Sequence, residues 1–170
     1  MADTSNGLMY GVAAVTFING SGEKKELGWL DENGIQPAGS APTFLDVFAA
    51  QVTDGPVDSI MTNPGSDAFT MNLIQLKAKN LVDIFGGTEE EGIYFPPANF
   101  VAIGELVIRM HSGHTFCIYK ARLSKNGWQN GMNMKNVMAL GIRVDILKDN
   151  SRNGDRFSII PPGTEIPVSQ

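Results

Sequence analysis

The sequence is poor in most of the residues that carry chemistry. One cysteine, Cys117, among 170 residues excludes an internal disulfide framework and fits synthesis in a reducing cytoplasm. Two histidines, His111 and His114, leave little material for a metal centre or a nucleophile–base pair. No apolar run approaches the roughly 20 residues needed to cross a bilayer, and the opening Met1–Gly7 lacks the basic and apolar regions of a signal peptide. A soluble chain that is not exported by that route is expected. Charged residues make up only 18% and hydrophobic ones 42%, which favours a globular fold over a disordered one. Nineteen glycines and nine prolines imply many turns and little helix, as in a mainly β fold.

The charge that is present is unevenly placed. Formal net charge is −5, yet residues 1–60 carry two basic and eight acidic side chains, whereas residues 111–170 carry eight and four. Such asymmetry helps identical subunits dock side by side, although a solvated surface is the commoner meaning. The acidic balance disfavours a protein that grips nucleic acid, because phosphate binding needs a concentrated basic face.

Hydrophobic patterning outlines the elements. Residues 10–18 are apolar at both parities and predict a strand buried on both faces. Asn19–Gly22 is a turn, residues 26–30 return as a partner strand, and Asp31–Gly34 makes a second turn. Pro37–Pro42 is a loop or arm. Residues 43–52 then read equally as a helix opened by Ser40 and Pro42 or as a strand with both faces covered. Residues 56–62 are a short extended segment, closed by Asn63-Pro64-Gly65. Residues 67–76 are a strand with Phe69, Met71 and Leu73 on one face, losing phase at Leu73-Ile74. One helix follows over about 77–86. Its apolar stripe is Ala78, Leu81, Val82 and Phe85, and Gly86-Gly87 stops it.

Glu89–Gly92 reads as an exposed acidic loop. Residues 101–110 and 115–124 make a hairpin across Ser112-Gly113, and Asn126–Asn133 is a polar connection. Residues 136–147 alternate most regularly, with Met138, Leu140, Ile142, Val144 and Ile146 on one side. Residues 149–170 are expected to be an extended C-terminal tail that orders against a neighbour, with one further strand at 157–160.

No catalytic, cofactor-binding or metal-binding residue is expected. His111 and His114 flank a hairpin turn and would need a third ligand from elsewhere to hold a metal. Cys117 sits between Phe116 and Ile118, where an inert buried thiol is the better reading. No Gly-Xaa-Ser-Xaa-Gly elbow exists, and Gly20-Ser21-Gly22 precedes no helix that would complete a phosphate site. Glu89-Glu90-Glu91 lacks the alternating spacing of a calcium loop and reads as a solvated face.

The order of segments says more than any single residue. "LGWLDENGI" at 27–35, then "FTMNLIQLKAKNLVDIFGG" at 69–87 and the closing strands, resembles the major tail tube proteins of long-tailed bacteriophages over roughly residues 8–148. That resemblance implies one tail-tube domain over residues 1–170, a β-sandwich or barrel of two packed antiparallel sheets with the helix on its flank and extended arms, residues 36–66 being the long arm or loop that reaches a neighbouring ring. It implies no enzyme and no cofactor. Copies of the chain would form hexameric rings stacked into a hollow tube in the virion, with tape-measure, tail-tip and neck or terminator proteins as partners. DNA would pass the lumen without specific binding, helped by acidic side chains there, and no membrane would be involved. Two alternatives stand beside it. One is the inner tube of a contractile tail or phage-derived injection system, which shares the fold. The other is a monomeric β-sandwich that binds a ligand such as carbohydrate, with Trp128 as an exposed platform and Trp29 expected in the core. A barrel enzyme using His111 and His114 is the least favoured class.

Overall fold

A computed structural model describes residues 7–164 of the chain. Its strands are β1 (Ala14–Ile18), β2 (Lys24–Glu26), β3 (Leu30–Pro37), β4 (Thr43–Val47), β5 (Asp58–Asn63) and β6 (Ala68–Leu73). The helix α1 (Ala78–Phe85) precedes β7 (Thr88–Glu90), β8 (Ile93–Phe95), β9 (Val101–Arg109), β10 (Thr115–Gln129), β11 (Ala139–Ile146) and β12 (Phe157–Ile160). The fold is mainly β, all pairings are antiparallel, and one α-helix flanks the strands.

Eight strands form one sheet in the order β2-β1-β9-β10-β11-β6-β3, with β12 paired to β10. The two ends of that order, β2 and β3, are joined by only Leu27-Gly28-Trp29, so the sheet curls round and its layers share one core. Val15 and Phe17 of β1, Leu106 and Ile108 of β9, Ile118 and Leu123 of β10, Ile142 and Val144 of β11, and Met71 and Leu73 of β6 fill it. Leu81, Ile84 and Phe85 of α1 close one end, and Phe85 stacks on Phe100 with centroids 4.2 Å apart. Gly86, at φ 80°, stops the helix with a hydrogen bond from its N–H to the Val82 carbonyl. The buried stripe is rotated slightly from the expected one: Ile84 takes the inner place, while Ala78 and Val82 are half-buried.

The long strand β10 explains the curl. Its first residues, Thr115–Ile118, lie between β9 and β12, Ala121–Ser124 lie between β9 and β11, and the strand then continues along β11 to Gln129. Register shifts at Ile118/Ala121 and Lys125/Trp128 are the bulges that bend it. At Gly104 of β9 the inner face is so close that a Cβ would collide with the Ile18 carbonyl oxygen and the Phe17 ring.

Several expectations are corrected. Over 10–18 only 14–18 is strand, and burial alternates: Val15 and Phe17 are buried while Ala14, Thr16 and Ile18 are partly covered. The partner strand of β1 is 24–26 rather than 26–30. Asp31–Gly34 is not a turn but a bulge inside β3, where Asp31 accepts the Asn33 N–H and Gly34 has φ 61°. Glu89–Gly92 is a tight hairpin, β7–β8, because Glu91 and Gly92 both adopt positive φ. Asn126–Gln129 continues β10. Residues 157–160 pair with β10 of their own chain, and Ile160 is buried there, so this part of the tail needs no neighbour. The expected tail beyond 164 lies outside the described residues.

Candidate assembly surfaces

The segment 36–66 is a hairpin arm rather than a loop. The pairing register is the same from Ile35↔Met71 through Pro37↔Phe69 and the Ser40↔Ser66 bridge to Thr43↔Asn63, so β4–β5 continues the β3–β6 ribbon beyond the core. Seven or eight further residues per strand carry it roughly 25 Å outward at strand rise. Of the two readings open for 43–52, the strand is realised over 43–47, and the chain then turns, with the Val52 N–H bonded to the Ala49 carbonyl. Local pairing holds it there: Ser59 Oγ donates to Asp46 Oδ1 at 2.7 Å, and the Thr43 and Thr62 hydroxyls meet at 3.1 Å. The neck is narrow. Gly65, at φ 76°, lies so close that a side chain would strike the Ser40 carbonyl oxygen.

Nothing in the described chain covers this arm. All residues of β4 and β5 are exposed. Phe44 pairs with Met61 and Leu45 with Ile60, so both faces of the ribbon are apolar, and Phe48 near the tip is 70% exposed. An isolated two-stranded hairpin is at best marginally stable in water. The arm's charges are one-signed, with Asp46, Asp54 and Asp58 and no basic residue between 37 and 66.

Other exposed apolar groups lie on the sheet and at its ends. Val101 and Ile103 of β9 face outward, and Phe157 and Ile159 of the edge strand β12 are half exposed on the core side, with Phe157 stacked on Phe116. The loop between β10 and β11 carries Met132, Met134 and Val137 in solvent. Trp29 is 71% exposed, against the expectation that it is core; Gly28, at φ 93°, turns the chain so that Leu27 takes the buried place. Trp128 is exposed as expected, with Lys125 Nζ 5.0 Å from its ring centroid. Trp128 lies in β10 and Trp29 immediately before β3, with β11 and β6 between those strands in the sheet order.

On the outer face of β10–β11, Asp145 accepts hydrogen bonds from Arg122 at 2.8 Å and Arg143 at 2.9 Å. Burial alone would raise the Asp145 carboxyl, but the hydrogen bonds and charges of the two guanidiniums outweigh it and hold the group below the ordinary carboxylate value.

His114 is buried, with Nδ1 3.1 Å from Ser112 Oγ, while His111 is exposed and packs against Gly11. No group of three or more His, Cys, Asp or Glu side chains that could hold a metal occurs among the described residues. Cys117 is 2% exposed; burial, with the Glu105 carboxylate adding to it, pushes its thiol up and away from reactivity.

A concave site that sequence patterning did not reveal lies between the N-terminal segment 9–12 and β3. Its volume is about 380 Å³, with Tyr10, Val12, Ile35, Phe69 and Phe116 as apolar walls and Glu32 at the rim. Segments far apart in the chain build it, so no local pattern records it. No helix of the described residues is long and apolar enough to cross a membrane. No family model matches the chain, and no curated protein matches it.

Proposed function

We propose that the chain is a structural subunit that self-assembles into hexameric rings stacked as a hollow tube, the tail tube of a bacteriophage virion through which the genome is delivered. The observation that carries this reading is the β4–β5 arm, a ribbon with apolar side chains on both faces and no cover of its own. Such a ribbon gains burial only against another molecule, and identical copies are the partner always present. Open sheet edges at β2, β3 and β12 support it further, since ring closure pairs edges that would otherwise invite disordered association. The segments 27–35 and 69–87 that resemble tail tube proteins supply most of β3 and β6, from whose Pro37/Phe69 end the arm springs, and α1 beyond the other end of β6.

In this reading the chain is not an enzyme and takes no cofactor. Tape-measure, tail-tip and neck or terminator proteins cap or fill the tube, and DNA passes without specific binding, eased by the net negative charge. The inner tube of a contractile tail uses the same physics. Purified protein is expected to sediment partly as rings or longer tubes with a central hole in electron micrographs. A strictly monomeric species at high concentration, with no such particles, refutes the reading.

A further inference from the structure

We propose that Met134 of one copy seats in the cavity beside β3 of the next copy, with Lys135 of the first against Glu32 of the second. This rests on the self-assembly reading and names one contact within it. The cavity and its occupant lie at opposite ends of the same sheet. On β6 the cavity is at the Phe69 end, whereas the loop between β10 and β11 follows strands that pair with Leu73 at the other end. A hole at one end and a projection at the other define a head-to-tail contact, the kind that repeats along a stack.

The projection is fixed in shape. Asn133 Oδ1 accepts the N–H groups of Lys135 at 2.8 Å and Asn136 at 3.0 Å, and Asn130 Nδ2 donates to the Val137 carbonyl at 3.2 Å. These bonds present Met134 fully to solvent. Methionine suits the receiving site, because its thioether packs well against the aromatic walls Tyr10, Phe69 and Phe116.

Charge selects this occupant over the arm. Among the described residues Glu32 is the only charged one lining the cavity, and Lys135 is the only charged residue in 130–138. Neither makes an ion pair among the described residues. The arm would bring Asp46, Asp54 and Asp58 towards Glu32, a like-charge encounter. It also leaves the sheet at the cavity's own end, beside Pro37 and Phe69, so a head-to-tail neighbour offers the loop there and not its arm.

The test compares the wild-type chain with M134A, K135E, E32K and the K135E/E32K exchange by sedimentation and electron microscopy. Each single change is expected to raise the concentration needed for stacked tubes about tenfold or more, and the exchange to return it to within about threefold of wild type. All three side chains are exposed, so thermal melting of the subunit should not move. If the wild type forms tubes and the single variants form them at the same concentration, this contact is wrong while assembly stands; loss of tubes on removing only residues 1–6 would then identify that segment as the occupant. If the wild type forms no ring or tube, the assembly reading falls and this contact with it.

Discussion

Replacing Phe44 and Phe48 by serine should abolish higher assembly while leaving the subunit folded. Phe44 is 55% and Phe48 70% exposed in the free chain. A phenylalanine presents roughly 200 Å² when fully open, so about 110 and 140 Å² remain to be covered. At about 25 cal/mol per Å² that is about 6 kcal/mol of gross burial per arm. Ordering of the arm and imperfect packing offset part of it, and a net loss of about 4 kcal/mol per contact is expected. That corresponds to nearly a thousandfold weaker association at each interface. Stability of the subunit should change by only about 0.5 kcal/mol, since neither ring touches the core. Sedimentation velocity across a concentration series reads the first quantity, and thermal denaturation of the monomer the second. Tubes forming at the wild-type concentration would refute the reasoning. So would a large drop in melting temperature, which would mean that the arm serves the fold and not the neighbour.

Two further outcomes concern the fold itself. Gly104→Ala should cost about 2–3 kcal/mol in denaturant unfolding, because the new methyl meets the Ile18 carbonyl and the Phe17 ring in a packed core; an unchanged midpoint would mean that β1 and β9 can separate freely. Asp145→Asn should cost about 1–2 kcal/mol at neutral pH, a modest figure because both arginines are partly solvated. The folded Asp145 value lies below the unfolded one, so its stabilisation is present above about pH 4 and is lost as pH falls through the folded value. The gap between wild type and variant should therefore narrow in acid, and a gap independent of pH would contradict the ion-pair account.

Legibility in the sequence followed locality. The strands at 68–73 and 139–146, the helix with its Gly86 stop and the hairpin across Ser112-Gly113 were all readable, because period-two and period-3.6 patterns and turn residues act within a few positions. The arm was legible as an excursion but not as a conformation. Phe44, Leu45 and Phe48 fit a helical stripe as well as a strand, and only the unbroken register from Ile35↔Met71 to Thr43↔Asn63 decides for the strand. Trp29 was misplaced because an apolar neighbourhood says nothing about direction, and the positive φ of Gly28 reverses it. The tail was misjudged for a related reason: β10 leaves half an edge vacant by diverging from β11, and β12 occupies it.

The sequence by itself determined the class of fold and the scarcity of histidine and cysteine. These follow from composition and short-range periodicity, which every segment carries within itself. Only the tertiary structure decided where the exposed apolar surface lies, on both faces of an uncovered ribbon and in a cavity at the opposite end from an exposed methionine loop. Exposure depends on which distant strands pair and bend together, and that information exists only once the chain has closed on itself.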